Sequence, residues 1–228
     1  MSVLPNICVP RSLLRDPDAF GGIRCGDVMR GDLHLSGNGA RRMTAPAPEQ
    51  SAPRLLVPAL TEAHCHLDKC HSLHRRGHVG GDLSQAIAAQ KEDKINWTAD
   101  DLHQRMGQGL TELASAGCSA VRSHIDWGMV PEPPLAWTVL NEMASDHPLT
   151  VQTAALTGID QLADAGFCKK AAMSIAQARG GVLGAFVLHH DPDKIRRGLT
   201  NAFSAAERFG LPLDFHVDEG LGAYNGLE

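Results

Sequence analysis

Beyond residue 54 the chain alternates short apolar runs with longer stretches of helical period. The runs cover residues 55–60, 119–125, 150–156, 182–188 and 211–217. Near-continuous apolar runs of this length suit strands buried on both faces of a parallel sheet, and the 3.6-period segments between them suit helices that cover it. Thr98 predicts a helix cap, with the helix running to Ala116 and stopped by Gly117, while Asp191-Pro192 opens another helix that Gly210 ends. Strand and helix therefore alternate five times, the pattern of βα units.

Residues 1–54 have a different texture. Short alternating pieces such as Gly31-Asp32-Leu33-His34-Leu35-Ser36-Gly37 are broken by turns and close on the linker Ala45-Pro46-Ala47-Pro48. The fold class is thus α/β, with a small N-terminal β layer in 1–54 and βα units in 55–228. No fixed-period repeat suggests a solenoid.

Composition narrows the functions. The 21 Lys and Arg against 26 Asp and Glu leave a net charge of −5 with no basic block, which argues against a nucleic-acid partner. No apolar run approaches the ~20 residues of a membrane span, and the N-terminus lacks a signal-peptide pattern, so the expected address is the cytoplasm. The cysteines at 8, 25, 65, 70, 118 and 168 form no C-x-x-C pair and are read as reduced thiols.

Candidate chemistry lies just after the apolar runs. His64 and His66, at i and i+2, share one face of an extended backbone and can share a metal. With 12 His in the chain, about 0.6 such pairs arise by chance, so spacing alone is weak. His216 and Glu219 end the fifth run, at the strand ends where barrel enzymes assemble their sites. His124 and Asp126 end the second run and are either pocket residues or a strand-end pair. His189 and His190 end the fourth, and only one of two adjacent residues can face a site. A structural zinc knot of Cys65, Cys70, His71 and His74 is a further reading; the other is a polar loop of His71, His74 and His78 with Arg75 and Arg76. No nucleophile elbow, phosphate loop or dinucleotide fingerprint is present.

Three ordered blocks carry a family resemblance. Pro58 to Lys69, PALTEAHCHLDK, resembles the His-x-His-Leu-Asp-Lys strand of cytosine deaminases and related metal-dependent amidohydrolases. Val121-Arg122-Ser123-His124-Ile125-Asp126 resembles their Val-Arg-Thr-His-Val-Asp, and Phe215-His216-Val217-Asp218-Glu219 their His-Cys-Asp-Glu strand. The resemblance implies one divalent metal ion, zinc or iron, on His64, His66 and His216, with Glu219 as proton shuttle. It implies a pocket for a small-molecule substrate formed with His124, Asp126, Asp68 and Asp218. A metal brings the pKa of a bound water to about 7, and a carboxylate three residues past a ligand can relay its proton to a ring nitrogen and a leaving amine. The implied reaction is hydrolysis of a non-peptide carbon–nitrogen bond.

Two departures qualify this. Leu156-Thr157-Gly158-Ile159-Asp160 stands where the family has Phe-Pro-Gln-Glu-Gly, which argues against cytosine itself as substrate. The chain also ends at Glu228 after about five strands, so the expected architecture is an incomplete TIM-type (β/α)8 barrel. The alternatives are a truncated inactive fragment, or a half-enzyme working as a homo-oligomer or with a complementing C-terminal fragment. A non-catalytic metal-binding module is the third.

Overall fold

The structure is a computed structural model that describes residues 2–37, 39–47, 52–77, 81–188 and 191–218. The chain divides into two compact units, Met1–Ala59 and Leu60–Glu228.

In the first unit, strands β1 (Ser2–Pro10), β2 (Ile23–Cys25), β3 (Val28–Ser36), β4 (Gly39–Thr44) and β5 (Arg54–Leu55) make one sheet, with a single helical turn, α1 (Pro17–Phe20). β3 is the hub, antiparallel to β1, β2 and β4. Alternation along β1 and β3 sends Ile7, Val9, Met29 and Leu33 inward, where they meet Met43. The register shifts between Leu4 and Ile7; Asn6 there takes φ of 50°, and its N–H donates to Asp32 Oδ1 at 2.9 Å.

The second unit is a βα series: β6 (Leu60–Cys65), α2 (Leu83–Asp93), α3 (Ala99–Ser115), β7 (Cys118–Asp126), α4 (Leu135–Asp146), β8 (Thr150–Gly158), α5 (Ile159–Leu162), α6 (Ala165–Ile175), β9 (Gly181–Phe186), α7 (Pro192–Phe209) and β10 (Leu213–His216). The five strands are parallel in the order β10-β9-β8-β7-β6. All their C-terminal ends therefore lie on one side, where such folds place ligands.

Four apolar runs map onto β7 to β10, but the first does not lead the parallel sheet. Arg54–Leu55 instead pairs parallel with β1, residues 56–59 lie outside the strands, and the parallel sheet begins at Leu60. Pro58 explains the break, since it lacks a ladder donor in the middle of that run. The predicted helix caps are in place. Thr98 accepts from the Asp101 N–H at the start of α3, and Gly117 follows that helix with φ of 90°. Asp191 accepts from Asp193 and Lys194 at the start of α7, and Gly210 ends it in the left-handed region.

The core lies between sheet and helices. Leu102, Met106 and Leu110 form the buried stripe of α3, and Trp127 meets Trp137 of α4 edge-on at 5.0 Å. α7 buries only small residues, Gly198, Ala202, Ala205 and Ala206. A Cβ at Gly198 would come 2.3 Å from the Ile159 carbonyl, so this close contact of helix with α5 needs glycine.

Candidate metal centre

The parallel sheet is curled, and its curl assembles the site. Strands in a sheet lie about 4.8 Å apart, so β6 and β10, four positions apart, would be separated by about 19 Å if the sheet were flat. Yet the imidazoles of His64 on β6 and His216 on β10 have centroids only 4.6 Å apart. Small residues allow the bend: β8 and β9 carry Ala154, Ala155, Gly184 and Ala185, and a Cβ on Gly184 would meet the Ala155 carbonyl at 2.7 Å.

Four of the predicted residues gather at the C-terminal strand ends. His64 stacks on His124 at 4.2 Å, His124 meets His216 edge-on at 4.8 Å, and His66 lies 5.6 Å from His124 and 6.0 Å from His216. His66 is just past β6, where its carbonyl accepts from Lys69 and Cys70 and the next N–H, that of Leu67, donates to the buried Ser123 hydroxyl at 3.0 Å. These bonds tie the turn to β7. His124, expected in the pocket, is inside the imidazole cluster itself.

The cluster fits a cation. The Nε2 atoms of His64 and His66 are 3.3 Å apart, and two nitrogens on one tetrahedral zinc, each at about 2.0–2.1 Å, are separated by about 3.3–3.4 Å. One nitrogen each from His64, His124 and His216 also falls within 4.8 Å of the others; no pair in that set would have to shorten by more than about 1.4 Å to share an ion. Burial, reinforced by Lys69, pushes His66 down to about 3, so its ring is neutral at pH 7 with a lone pair to give. His124 is also lowered by burial, against the pull of Asp214. The Nδ1 atoms of His66 and His124 are buried without a hydrogen-bond partner among the described residues.

The carboxylates separate into two environments. Asp126 is bridged by Lys69 Nζ at 2.8 Å and Lys94 Nζ at 2.7 Å. Burial alone would raise its pKa, but the two ammonium groups hold it below the ordinary carboxylate range. Asp68 is fully buried, accepts the Asp126 N–H at 3.3 Å, and is pushed up to about 7 by burial and by the neighbouring Asp126 charge. Asp218 is exposed just after β10, with φ of 56°. Glu219 lies outside the described residues, as do His78, His189 and His190.

The residues proposed for a zinc knot have other contacts. Cys65 Sγ donates to the Arg122 carbonyl, and Cys70 Sγ to the carbonyls of Leu67 and Arg105. Burial raises these thiols to about 12 and about 11. His71 pairs with Glu112 at 3.1 Å. Arg75 joins Asp93 and Asp101 at 2.6 and 2.5 Å.

Sequence reading passed over Arg122 and Asp214 as site residues. Arg122 Nη1 donates to Asp214 Oδ2 at 2.7 Å, and Asp214 Oδ1 is 3.2 Å from His124 Nε2. Both were legible in principle: each charged residue interrupts an apolar strand two positions before a histidine, hence on that histidine's face. A cavity of about 700 Å³ bordered by His147, Gln152 and Arg179 opens at the N-terminal ends of β8 and β9, at the other end of the sheet from the histidines.

Comparison with known proteins bears on the chain as a whole. The pterin deaminase of Rhizobium rhizogenes (strain K84 / ATCC BAA-868) is 32% identical over 182 residues, which cover 77% of this chain and 41% of the relative. The chain is thus similar to a deaminase over most of its own length. No family model matches it. Among solved structures, 5-methylcytosine deaminase from Klebsiella pneumoniae liganded with phosphonocytosine superposes with a TM-score of 0.72 at 22% identity, over 99% of this chain and 54% of that one. Atrazine chlorohydrolase from Arthrobacter aurescens TC1 complexed with zinc superposes with a TM-score of 0.60 at 15% identity, over 95% and 54%. At such identities the likeness is one of fold: a curled parallel sheet with a separate small sheet. The chain spans about two fifths of the length of the curated relative it matches and about half of these solved chains.

Proposed function

We propose that the chain carries the histidine half of a metal-dependent deaminase that hydrolyses a carbon–nitrogen bond of a small aminated heterocycle, on a barrel of TIM type. His64, His66 and His216 would hold one divalent ion, zinc or iron. The observation that carries this reading is the 3.3 Å separation of the His64 and His66 nitrogens, with His216 curled over them. The deaminase relative acts, by its name, on pterins, and an amino group on a fused nitrogen heterocycle is accordingly the substrate class to try first.

Such an ion supplies Lewis acidity, bringing the ionisation of a water near neutral pH. The chain's own residues do the rest. His66, uncharged at pH 7, offers a lone pair without first losing a proton. Glu219, three residues beyond His216, would take the proton of the attacking water and deliver it to the ring nitrogen and then to the departing amine. Water's oxygen replaces nitrogen on the ring carbon, and ammonia leaves. Asp126, Asp68, Asp218 and His124 would form the pocket wall. We assign the protein to the cytoplasm, in keeping with free cysteines and no helix among the described residues long and apolar enough to cross a membrane.

A second reading is that turnover needs further βα units, from a homo-oligomer or a complementing C-terminal segment. It is favoured by the two edge strands, β6 and β10, and by the 55% exposure of Leu60 on β6, since a closed barrel has no edges. Ammonia release from pterin and cytosine panels, with zinc or iron supplied, tests both. Metal retained with turnover lost in Glu219→Gln supports the first; turnover only after mixing with a C-terminal fragment supports the second; none in either preparation removes the enzymatic reading.

A further inference from the structure

We infer that Asp214 is a positioning residue that sets the imidazole of the proposed ligand His216, and that of His124 packed against it, beside a bound divalent cation, and that Arg122 and Gln152 act through it by fixing its carboxylate. This rests on the metal reading above and adds to it residues outside the proposed ligand set.

The carboxylate of Asp214 divides its two oxygens between two tasks. Oδ1 lies 3.2 Å from His124 Nε2, a close electrostatic contact without hydrogen-bond alignment, and 4.0 Å from His216 Nδ1, beyond hydrogen-bond distance but facing it. Oδ2 accepts from Arg122 Nη1 at 2.7 Å. Arg122 in turn donates through Nε and Nη2 to the single oxygen of Gln152, at 3.0 and 2.9 Å. A planar guanidinium with three of its donors in use has one orientation open to it, so the carboxylate it holds is also fixed.

The three partners come from different strands. Arg122 and His124 are i and i+2 on β7, Gln152 is on β8, and Asp214 and His216 are i and i+2 on β10. β7 and β10 are three positions apart in the sheet, about 14 Å if it were flat, so the Arg122–Asp214 contact exists only because the sheet curls. It ties the same curl that brings His64 to His216.

Geometry also decides which imidazole nitrogens remain for a metal. With its negative oxygen nearest His124 Nε2 and His216 Nδ1, Asp214 favours a proton on those nitrogens and leaves the other nitrogen of each ring as the lone pair; contacts of this outer kind orient metal-ligating histidines. His124 is 1% exposed and His216 7%, so little water competes for these contacts. Without Asp214 both rings could turn about their side-chain bonds and the cluster would no longer be set in advance.

The test is Co²⁺ titration of the metal-free 228-residue chain, read by its visible d–d absorption, for wild type, Asp214→Asn, Arg122→Lys and the double variant. The expected result is a 10- to 100-fold weaker Co²⁺ affinity and an altered band shape in Asp214→Asn. Arg122→Lys keeps a charge but loses the fork, and is expected to weaken binding less. The double variant should be no worse than Asp214→Asn alone, because Arg122 acts through Asp214. Melting of the metal-free variants serves as the control. If it is unchanged while affinity falls, Asp214 positions the rings; if affinity falls only in proportion to lost folded protein, its role is structural and the inference is overturned. Wild-type affinity and spectrum in both single variants would overturn it while leaving the metal site standing. No Co²⁺ bound by wild type would remove the metal reading and this inference together.

Discussion

The guanidinium of Arg105 donates to the main-chain carbonyl of Asp68 at 2.8 Å, joining the middle of α3 to the turn that follows His66. The same Nη1 reaches the carbonyl of Cys70 at 2.9 Å, while Nε and Nη2 hold Asp101 at 3.0 and 2.8 Å. Arg105 is 4% exposed, so this turn owes its shape to a buried cation. Replacing Arg105 with Met should cost about 3 kcal/mol, because two carbonyls lose their donor and the Asp101 carboxylate keeps only Arg75. Urea denaturation followed by tryptophan fluorescence checks this. A loss below about 1 kcal/mol would mean that water replaces the guanidinium without penalty.

Asp93 supplies a pH dependence. Its burial would raise its pKa, but the Trp97 indole N–H at 2.8 Å and the Arg75 guanidinium at 2.6 Å outweigh that and hold it below the ordinary value. A carboxylate depressed in the folded state gives stability that is fully present above its unfolded pKa of about 3.9 and is lost as pH falls through the folded value. Urea midpoints measured from pH 6 down to pH 3 should therefore fall less steeply in Asp93→Asn than in wild type below about pH 4. Parallel curves for the two proteins would remove Asp93 from the acid sensitivity.

Gly198 and Gly107 should respond oppositely to alanine. Both are helical, and alanine gains about 1 kcal/mol of helix propensity over glycine. At Gly198 the new methyl would lie 2.3 Å from the Ile159 backbone carbonyl; at Gly107 it would lie 3.3 Å from the mobile end of Met143. Gly198→Ala should lose about 1–3 kcal/mol despite the propensity gain. Gly107→Ala should be neutral or stabilised. Thermal melts of the two variants decide this, and an unharmed Gly198→Ala would show that α5 and α7 have room to separate.

Much of this arrangement was readable in the sequence because it is local. The apolar runs at 150–156 and 182–188 announce β8 and β9, and Thr98, Gly117, Asp191 and Gly210 punctuate α3 and α7 through capping chemistry that depends only on neighbours. The run at 55–60 misled because apolarity marks a strand without saying which sheet it joins; Leu55 pairs with β1, whereas Leu60 starts β6. Histidine spacing brought out His64, His66, His124 and His216. What spacing could not convey is distance between strands: that β10 curls back to β6, or that Arg122 meets Asp214 across 92 residues of chain. Those contacts depend on the small side chains of β8 and β9, whose effect appears only once the sheet is assembled. The Lys69–Asp126–Lys94 bridge was missed for the same reason, since Lys94 arrives from a short 3-10 turn after α2 that carries no motif.

The central claim is a metal on His64, His66 and His216, and it is tested most directly by counting ions. The metal-free 228-residue chain, incubated with zinc or ferrous iron and desalted, should retain one ion per chain by elemental analysis. His64→Ala, His66→Ala and His216→Ala should each abolish retention while their far-UV circular dichroism stays at the wild-type value. Undiminished stoichiometry and affinity in all three variants, or no retained ion in the folded wild-type protein, would contradict the account.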